Sequence, residues 1–145
     1  MRVSSLLVSD PKVQIGVYSF GSKGPATPKS QFEFDVSKFR DPAGQKQFKG
    51  GCGVDPDVRA WVGEDDRVPA IIANCLLLAE DLIRAKPSTT GARTEAPADW
   101  LSFSFRDFHG RWASPAVAEL VADALSRAGY VVAVKHFGLV DREVK

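Results

Sequence analysis

Cysteine and histidine are scarce in this sequence, with two of each among 145 residues. No Cys/His spacing suits zinc, so we expect no metal site, and no motif indicates a cofactor. Cys75 lies in the apolar run 71–78 and is predicted to be a small buried hydrophobe, whereas Cys52 stands between glycines. A disulfide is allowed, but nothing requires one. Low cysteine use without a secretory leader favours a reducing, cytoplasmic location.

The sequence also lacks an excess of positive or negative charge, and it lacks long apolar runs. The net charge of +1 creates no whole-molecule field directed at nucleic acid or membrane, and no apolar run is long enough to span a bilayer. The charges are nevertheless uneven, because residues 12–49 carry seven Lys/Arg against three Asp/Glu, and residues 50–104 carry five against nine. A basic region beside an acidic one suits a polyanion site; the alternative is ordinary surface charge that evens out on folding.

The apolar content is 44%, enough for the core of one domain. Alternation, β-branched residues and flanking turn residues predict strands at residues 13–20, 32–36, 100–105 and 130–137. Helical spacing predicts a short helix that Asp55 caps and that ends at 62, a buried helix at 69–85, and an amphipathic helix from Ser114 to Gly129. Strand, helix and strand over residues 100–137 form a βαβ unit with parallel strands. The predicted fold class is α/β, a small sheet with a C-terminal βαβ unit.

The domain is predicted to cover residues 13–139. Residues 1–12 are expected to form an N-terminal extension or an edge strand, and residues 140–145 a C-terminal tail. The segment 86–99 is rich in Pro, Ser, Thr and Gly, which is typical of a flexible surface loop.

The segment 106–115 is the most informative stretch, because it joins the end of a strand to the start of a helix. Ligands of open α/β sheets bind at the carboxyl ends of strands, and helix N-termini suit phosphate. Gly110 allows a close backbone approach, Arg111 has the fork that binds phosphate oxygens, and Ser114 either caps the helix or bonds the ligand. The spacing of a Walker A loop is absent. The alternative is a plain strand-to-helix connection with Ser114 as its cap.

Other side chains near this segment have two interpretations each. Lys135 and His136 near the end of the fourth strand either contact RNA or sugar phosphates, or alternate so that one faces solvent and one faces inward. Asp107 beside His109 suggests acid–base chemistry, but no nucleophile or metal cluster accompanies them. Trp112 lies within the candidate loop, and an exposed aromatic there suits a partner.

Several short motifs recur in an order that identifies a family. They are Ser19-Phe20-Gly21, Phe34-Asp35-Val36, the run 53–59 (GVDPDVR), Gly129-Tyr130 and Val134-Lys135-His136. With the helix from Ser114, this succession resembles the C-terminal domain of the RNase adapter protein RapZ over residues 13–139. The resemblance implies a fold related to a subdomain of phosphofructokinase. It also implies binding of glucosamine-6-phosphate, binding of a small regulatory RNA that is presented to a ribonuclease, and homo-oligomers.

The sequence departs from the family at the ligand loop. The family reads Cys-Thr-Gly-Gly-(Arg/Lys)-His-Arg-Ser where residues 107–114 read DFHGRWAS, so Gly110, Arg111 and Ser114 are kept. Trp112 and Ala113 replace the cationic pair, which should weaken phosphate binding, and His109 offers partial compensation. Phe137 and Gly138 replace an Arg-Asp pair. The family's N-terminal P-loop domain is absent, so ATP hydrolysis is not expected.

These observations lead to three hypotheses. The first is a non-catalytic adapter module that binds RNA, a phosphorylated amino sugar, or both. Its expected ligand residues are Ser19, Gly21, His109, Gly110, Arg111 and Ser114, and its expected RNA contacts are Lys135 and His136. The second is a protein-interaction factor that kept the fold and lost the ligand, with Phe108 and Trp112 as anchors. The third is a sugar-phosphate enzyme with Asp107 or His109 as general base, for which no second substrate site is evident.

Overall fold

The computed structural model describes residues 13–24, 27–84 and 101–139. Within these ranges the strands are β1 Ile15–Gly21, β2 Phe32–Asp35, β3 Leu101–Asp107 and β4 Val132–His136. The α-helices are α1 Pro56–Gly63, α2 Arg67–Ala79 and α3 Ala113–Arg127, and a π-helical turn Glu80–Arg84 follows α2. The predictions for residues 1–12, 86–99 and 140–145 lie outside the described residues.

The four strands form one parallel sheet in the order β2-β3-β1-β4. Ile15 pairs with Leu101 on one side and with Val132 on the other, and Gly21 at the end of β1 pairs with Asp107 at the end of β3. The predicted α/β class and the parallel strands of the βαβ unit are confirmed. β1 lies between the two strands of that unit, so the crossover through α3 skips one strand position.

The core lies between one face of the sheet and the helices. Ile15 and Val17 of β1 and Phe103 and Phe105 of β3 alternate onto this face and are fully buried. α3 packs against β1, β3 and β4, with Val117, Val121 and Leu125 buried. Each fully buried side chain of this size contributes roughly 1.5–3 kcal/mol. The opposite face carries Ser102 and Ser104, which bond to Gln31 and Ser30.

The expectation that the second helix is buried on most sides is wrong. In α2 only Val68, Cys75 and Ala79 are buried, and Leu77 is 61% exposed. α2 packs mainly on α3, so it forms the outer side of the helical layer. Apolar residues around a whole helix do not by themselves bury it, since folded proteins expose much apolar surface.

Asp55 lies at the N-cap position of α1, as predicted, but its carboxylate accepts from the backbone N–H of Cys52 at 2.8 Å and bonds no amide of α1. Ser114 lies inside the first turn of α3, one residue after its start at Ala113, so it is not the N-cap. β3 extends two residues past its predicted end, to Asp107, and that carboxylate takes over the capping of α3.

Candidate functional site

The carboxyl ends of β1, β3 and β4 meet the start of α3 at one edge of the sheet. This edge brings together the predicted ligand residues on β1 and in the loop after β3, and the predicted RNA contacts on β4. The register places Gly21 beside Asp107 and Ser19 beside His136. The site that the sequence predicts is therefore one continuous region in three dimensions.

Three glycines from three chain segments pack backbone to backbone at this edge. A Cβ at Gly21 would lie 2.4 Å from the carbonyl carbon of His109, and a Cβ at Gly138 would lie 2.4 Å from the carbonyl oxygen of Gly110. Gly110 also has a φ of +73°, which side chains disfavour. The absence of side chains at Gly21 and Gly110 thus serves the packing of the loop against β1 and against the turn after β4.

Asp107 organises the loop and the helix start. Its carboxylate is buried and accepts hydrogen bonds from the backbone N–H groups of Gly110 and Ser114, the latter at 2.9 Å. A carboxylate at a helix N-terminus satisfies unpaired amides and complements the partial positive charge there. Asp107 therefore occupies two backbone amides at the helix start, where a phosphate was expected to bind.

Ser114 is fully buried, and its hydroxyl oxygen has no hydrogen-bond partner among the described residues. Gly53 covers this end of α3: its N–H donates to the carbonyl of Arg111 at 2.8 Å, and a Cβ there would lie 2.1 Å from the carbonyl oxygen of Trp112. A buried hydroxyl without a partner is uncommon in folded proteins. Among the described residues, it is the buried side-chain polar atom that has no partner.

The Arg111 side chain is directed toward the segment before α1, and Trp112 packs against the core. The Arg111 Nε donates to the carbonyl of Gly51 at 2.9 Å, and its guanidinium lies 5.0 Å from the centre of the Trp112 ring. Both side chains are half-buried. The Arg111 guanidinium, which was expected to bind phosphate, thus makes one structural hydrogen bond here.

A hydrogen-bonded relay runs under the same edge. Ser19 Oγ lies 2.6 Å from His136 Nδ1, His136 Nε2 lies 2.6 Å from Glu119 Oε2, and Glu119 Oε1 lies 3.4 Å from Arg59 Nη1. Four elements, β1, β4, α3 and α1, each contribute one residue. The relay therefore ties the ends of two strands to the helical layer.

Ser19, His136 and Glu119 supply the same three groups as a hydrolase triad, a hydroxyl, an imidazole and a carboxylate. In such a triad the hydroxyl is the nucleophile and must be able to reach a substrate. The Ser19 side chain is fully buried, and only 11% of the His136 side chain is exposed. The hydroxyl is closed to a substrate in this arrangement. The predicted alternation at the end of β4 is confirmed, because Lys135 faces solvent and His136 faces inward.

Phe108, His109 and Lys23 form the exposed part of the site. Phe108 is 52% exposed, the Lys23 ammonium lies 5.1 Å from the centre of its ring, and the His109 ring meets it edge-on at 4.6 Å. On the other side of β1, the Lys135 ammonium lies 4.8 Å from the Phe137 ring. Two cation–aromatic pairs therefore flank the carboxyl end of β1.

The β2 side of the edge has a different character. Arg106 bonds Glu33 at 3.0 Å and pairs with Asp35 at 3.2 Å. Hydrogen bonds from Ser37, together with Arg106, lower the pKa of Asp35 below its ordinary 3.8, and the bond to Glu33 raises the pKa of Arg106. These charges neutralise each other locally, so Arg106 is paired on this side of the edge.

Sequence reasoning did not find Lys23, Arg59, Glu119 or Gly138 as parts of this edge. A weak indication for Glu119 was present in the sequence. It is a carboxylate among the small and apolar residues of an amphipathic helix, and a carboxylate that is buried there requires a partner. Its partner lies 17 residues away, and the spacing alone does not reveal the contact.

No group of three or more candidate metal ligands occurs in the part of the chain that the structure describes. Over the same residues, no helix combines the length and the apolar character that crossing a bilayer requires. A family model described as the RapZ C-terminal domain matches residues 13–139. The comparison with curated proteins finds no match.

Proposed function

The chain belongs to the RapZ C-terminal domain family, a family of non-catalytic regulatory domains, and on this premise we propose that it is an adapter that binds RNA at the carboxyl edge of its sheet. The observation that supports the proposal most is the pair of cation–aromatic contacts, Lys23 with Phe108 and Lys135 with Phe137. Cations bind the phosphate backbone, and aromatic rings accept bases. Such interleaving is typical of nucleic-acid interfaces.

The charge distribution along the edge supports the same proposal. Lys23, His109 and Lys135 are exposed on the side of β1 and β4, whereas Arg106 on β3 is held by Glu33 and Asp35. A strand of RNA bound between Lys23 and Lys135 avoids the two carboxylates. His136 contributes from below, through its bonds to Ser19 and Glu119, by fixing the end of β4.

A phosphorylated amino sugar is a second candidate ligand, and Ser114 is the observation that favours it. Its buried hydroxyl lacks a partner, which a ligand oxygen would supply. Asp107 acts against it, because a phosphate at the start of α3 competes with a carboxylate that already holds two amides. We therefore place RNA first. A ribonuclease partner and self-association, both implied by the family resemblance, stay predictions.

Filter binding of structured and single-stranded RNA over a range of salt concentrations tests the proposal. In the double variant Lys23→Ala/Lys135→Ala, affinity should fall, and the slope of log K against log salt should decrease by roughly 0.7 for each lost phosphate contact. The matched control is Lys29→Ala/Arg127→Ala, which removes the same charge from exposed residues near the amino-terminal edge. Equal binding by both double variants, or no RNA binding by the wild-type chain, would overturn the proposal.

A further inference from the structure

Phe108 presents an aromatic ring to solvent at the tip of the loop after β3. It is 52% exposed, and Leu77 and Leu82 on the α2 side are the other large apolar side chains with substantial exposure among the described residues. Phe103 and Phe105, the two aromatic residues of the preceding strand, are fully buried. Exposure alone is ordinary for an apolar side chain, so the role of Phe108 depends on how the ring is held and on which groups surround it.

The loop holds this ring in a fixed position. The N–H of Lys23 donates to the carbonyl of Phe108 at 3.2 Å, and the N–H of Ser22 donates to the carbonyl of Asp107 at 2.8 Å. After Phe108, the backbone N–H of Gly110 donates to the Asp107 carboxylate, and Gly110 is packed on Gly21. A ring on an ordered backbone loses little conformational entropy when a ligand stacks on it.

The neighbours of Phe108 distinguish between two kinds of partner. A protein-docking anchor is normally surrounded by other apolar contacts in a well-packed centre. Here the exposed neighbours are Ser22, Lys23, Gly24 and His109, all of them polar or small. The Lys23 ammonium lies over the Phe108 ring and the His109 ring meets it edge-on, and amino and imidazole groups are ones that contact phosphates.

We infer that Phe108 is a stacking platform for one unpaired RNA base, with Lys23 and His109 binding the adjacent phosphates. The inference rests on the proposed function and narrows it, because unstacked bases are accessible in single strands, loops and bulges but not within a duplex. The chain therefore binds single-stranded RNA in preference to duplex RNA of the same sequence. Since any base offers a π-face, the platform itself has little sequence preference.

Fluorescence anisotropy with a labelled single-stranded oligonucleotide and with its duplex tests the inference. Phe108→Ala should weaken single-strand binding on the order of 5- to 150-fold, the equivalent of one stacked base. Phe108→Trp should keep or increase the affinity, whereas Phe108→Leu, which keeps an apolar side chain but has no ring, should resemble Phe108→Ala. Leu77→Ala on α2 is the control for loss of an exposed apolar side chain and should bind like the wild type.

Thermal melting of each variant confirms that the fold is intact, which an exposed position permits. If the wild-type chain binds neither form of RNA, the proposed function fails and the inference fails with it. If the wild type binds RNA but Phe108→Ala or Phe108→Leu binds equally well, or if duplex and single strand bind alike, the inference alone is overturned. That second result leaves the lysines as the RNA contacts and returns Phe108 to the role of a protein anchor.

Discussion

His136 lies between Ser19 and Glu119, with 2.6 Å from its Nδ1 to the serine hydroxyl and 2.6 Å from its Nε2 to the carboxylate. Both ring nitrogens of His136 are therefore engaged, Nδ1 by the serine hydroxyl and Nε2 by the carboxylate. These two contacts fix the end of β4 to β1 and α3.

The first prediction is that Glu119 and His136 contribute to the free energy of unfolding as a coupled pair. Truncating either residue to Ala removes a buried hydrogen bond, so each single variant should lose about 1–3 kcal/mol in the free energy of unfolding. The double variant should lose less than the sum of the two, as expected of residues in direct contact. Urea unfolding of the four proteins measures this difference. Strictly additive losses would show that the 2.6 Å contact carries no energy.

The glycine contact gives a second prediction. Gly138→Ala places a Cβ 2.4 Å from a backbone oxygen of Gly110, and a backbone atom cannot move aside as a flexible side chain does. The variant should lose about 1–3 kcal/mol of stability, as overpacked cores do. Gly44→Ala is the matched control, because its Cβ meets nothing within 4 Å. Similar melting temperatures for both variants would contradict the described packing.

Thiol chemistry supplies a third prediction. Cys75 and Cys52 are both buried and free, and burial raises the pKa of the Cys75 thiol to about 12. Since the thiolate is the reactive form, a chromogenic disulfide reagent at neutral pH should label neither residue in the folded chain. Both should react in denaturant. Fast labelling of the native Cys75→Ser variant, in which Cys52 is the only thiol, would indicate that the segment before α1 opens.

A fourth prediction concerns acid pH and Asp65. The Asp65 carboxylate accepts from the side chain and N–H of Arg67 and from the N–H of Arg40, and these bonds lower its pKa below 3.8. A lowered folded-state pKa means that the stabilisation is complete above the unfolded value, about 3.9, and is lost as the pH falls toward the folded value. Asp65→Asn should therefore be less stable than the wild type at neutral pH.

The difference between Asp65→Asn and the wild type should shrink when urea unfolding is repeated at about pH 3, where the unfolded carboxyl is protonated. Asp66→Asn makes the same charge change at an exposed neighbour and should show little effect at either pH. A wild-type advantage that stays constant down to strongly acid pH would contradict the role given to Asp65.

The sequence predicted the strands and helices well because their signals are local. The β-branched and aromatic residues at 13–20 and the apolar stripe from Ser114 are local features, and both elements lie where expected. The end of β3 was missed because Arg106 is stabilised in the strand by Glu33 and Asp35 of another strand. The exposure of Leu77 was missed because it depends on where α2 packs.

Part of the site was predictable for the same reason. Gly21, Gly110 and the alternation of Lys135 with His136 follow from turn chemistry and strand geometry. The partners of His136 and the capping by Asp107 depend on the strand order β2-β3-β1-β4, which no local pattern encodes. This strand order brings Ser19 beside His136, which lies 117 residues away along the chain.

The most direct test of RNA binding at the carboxyl edge is a titration of the isotopically labelled chain with a single-stranded oligonucleotide, followed by amide NMR shifts. Binding at this edge should cluster the shifted amides at residues 19–24, 106–112 and 135–138 and leave those of Lys29 and Arg127 unchanged. Spectra that do not change at saturating RNA, or shifts centred on the amino-terminal edge, would contradict it.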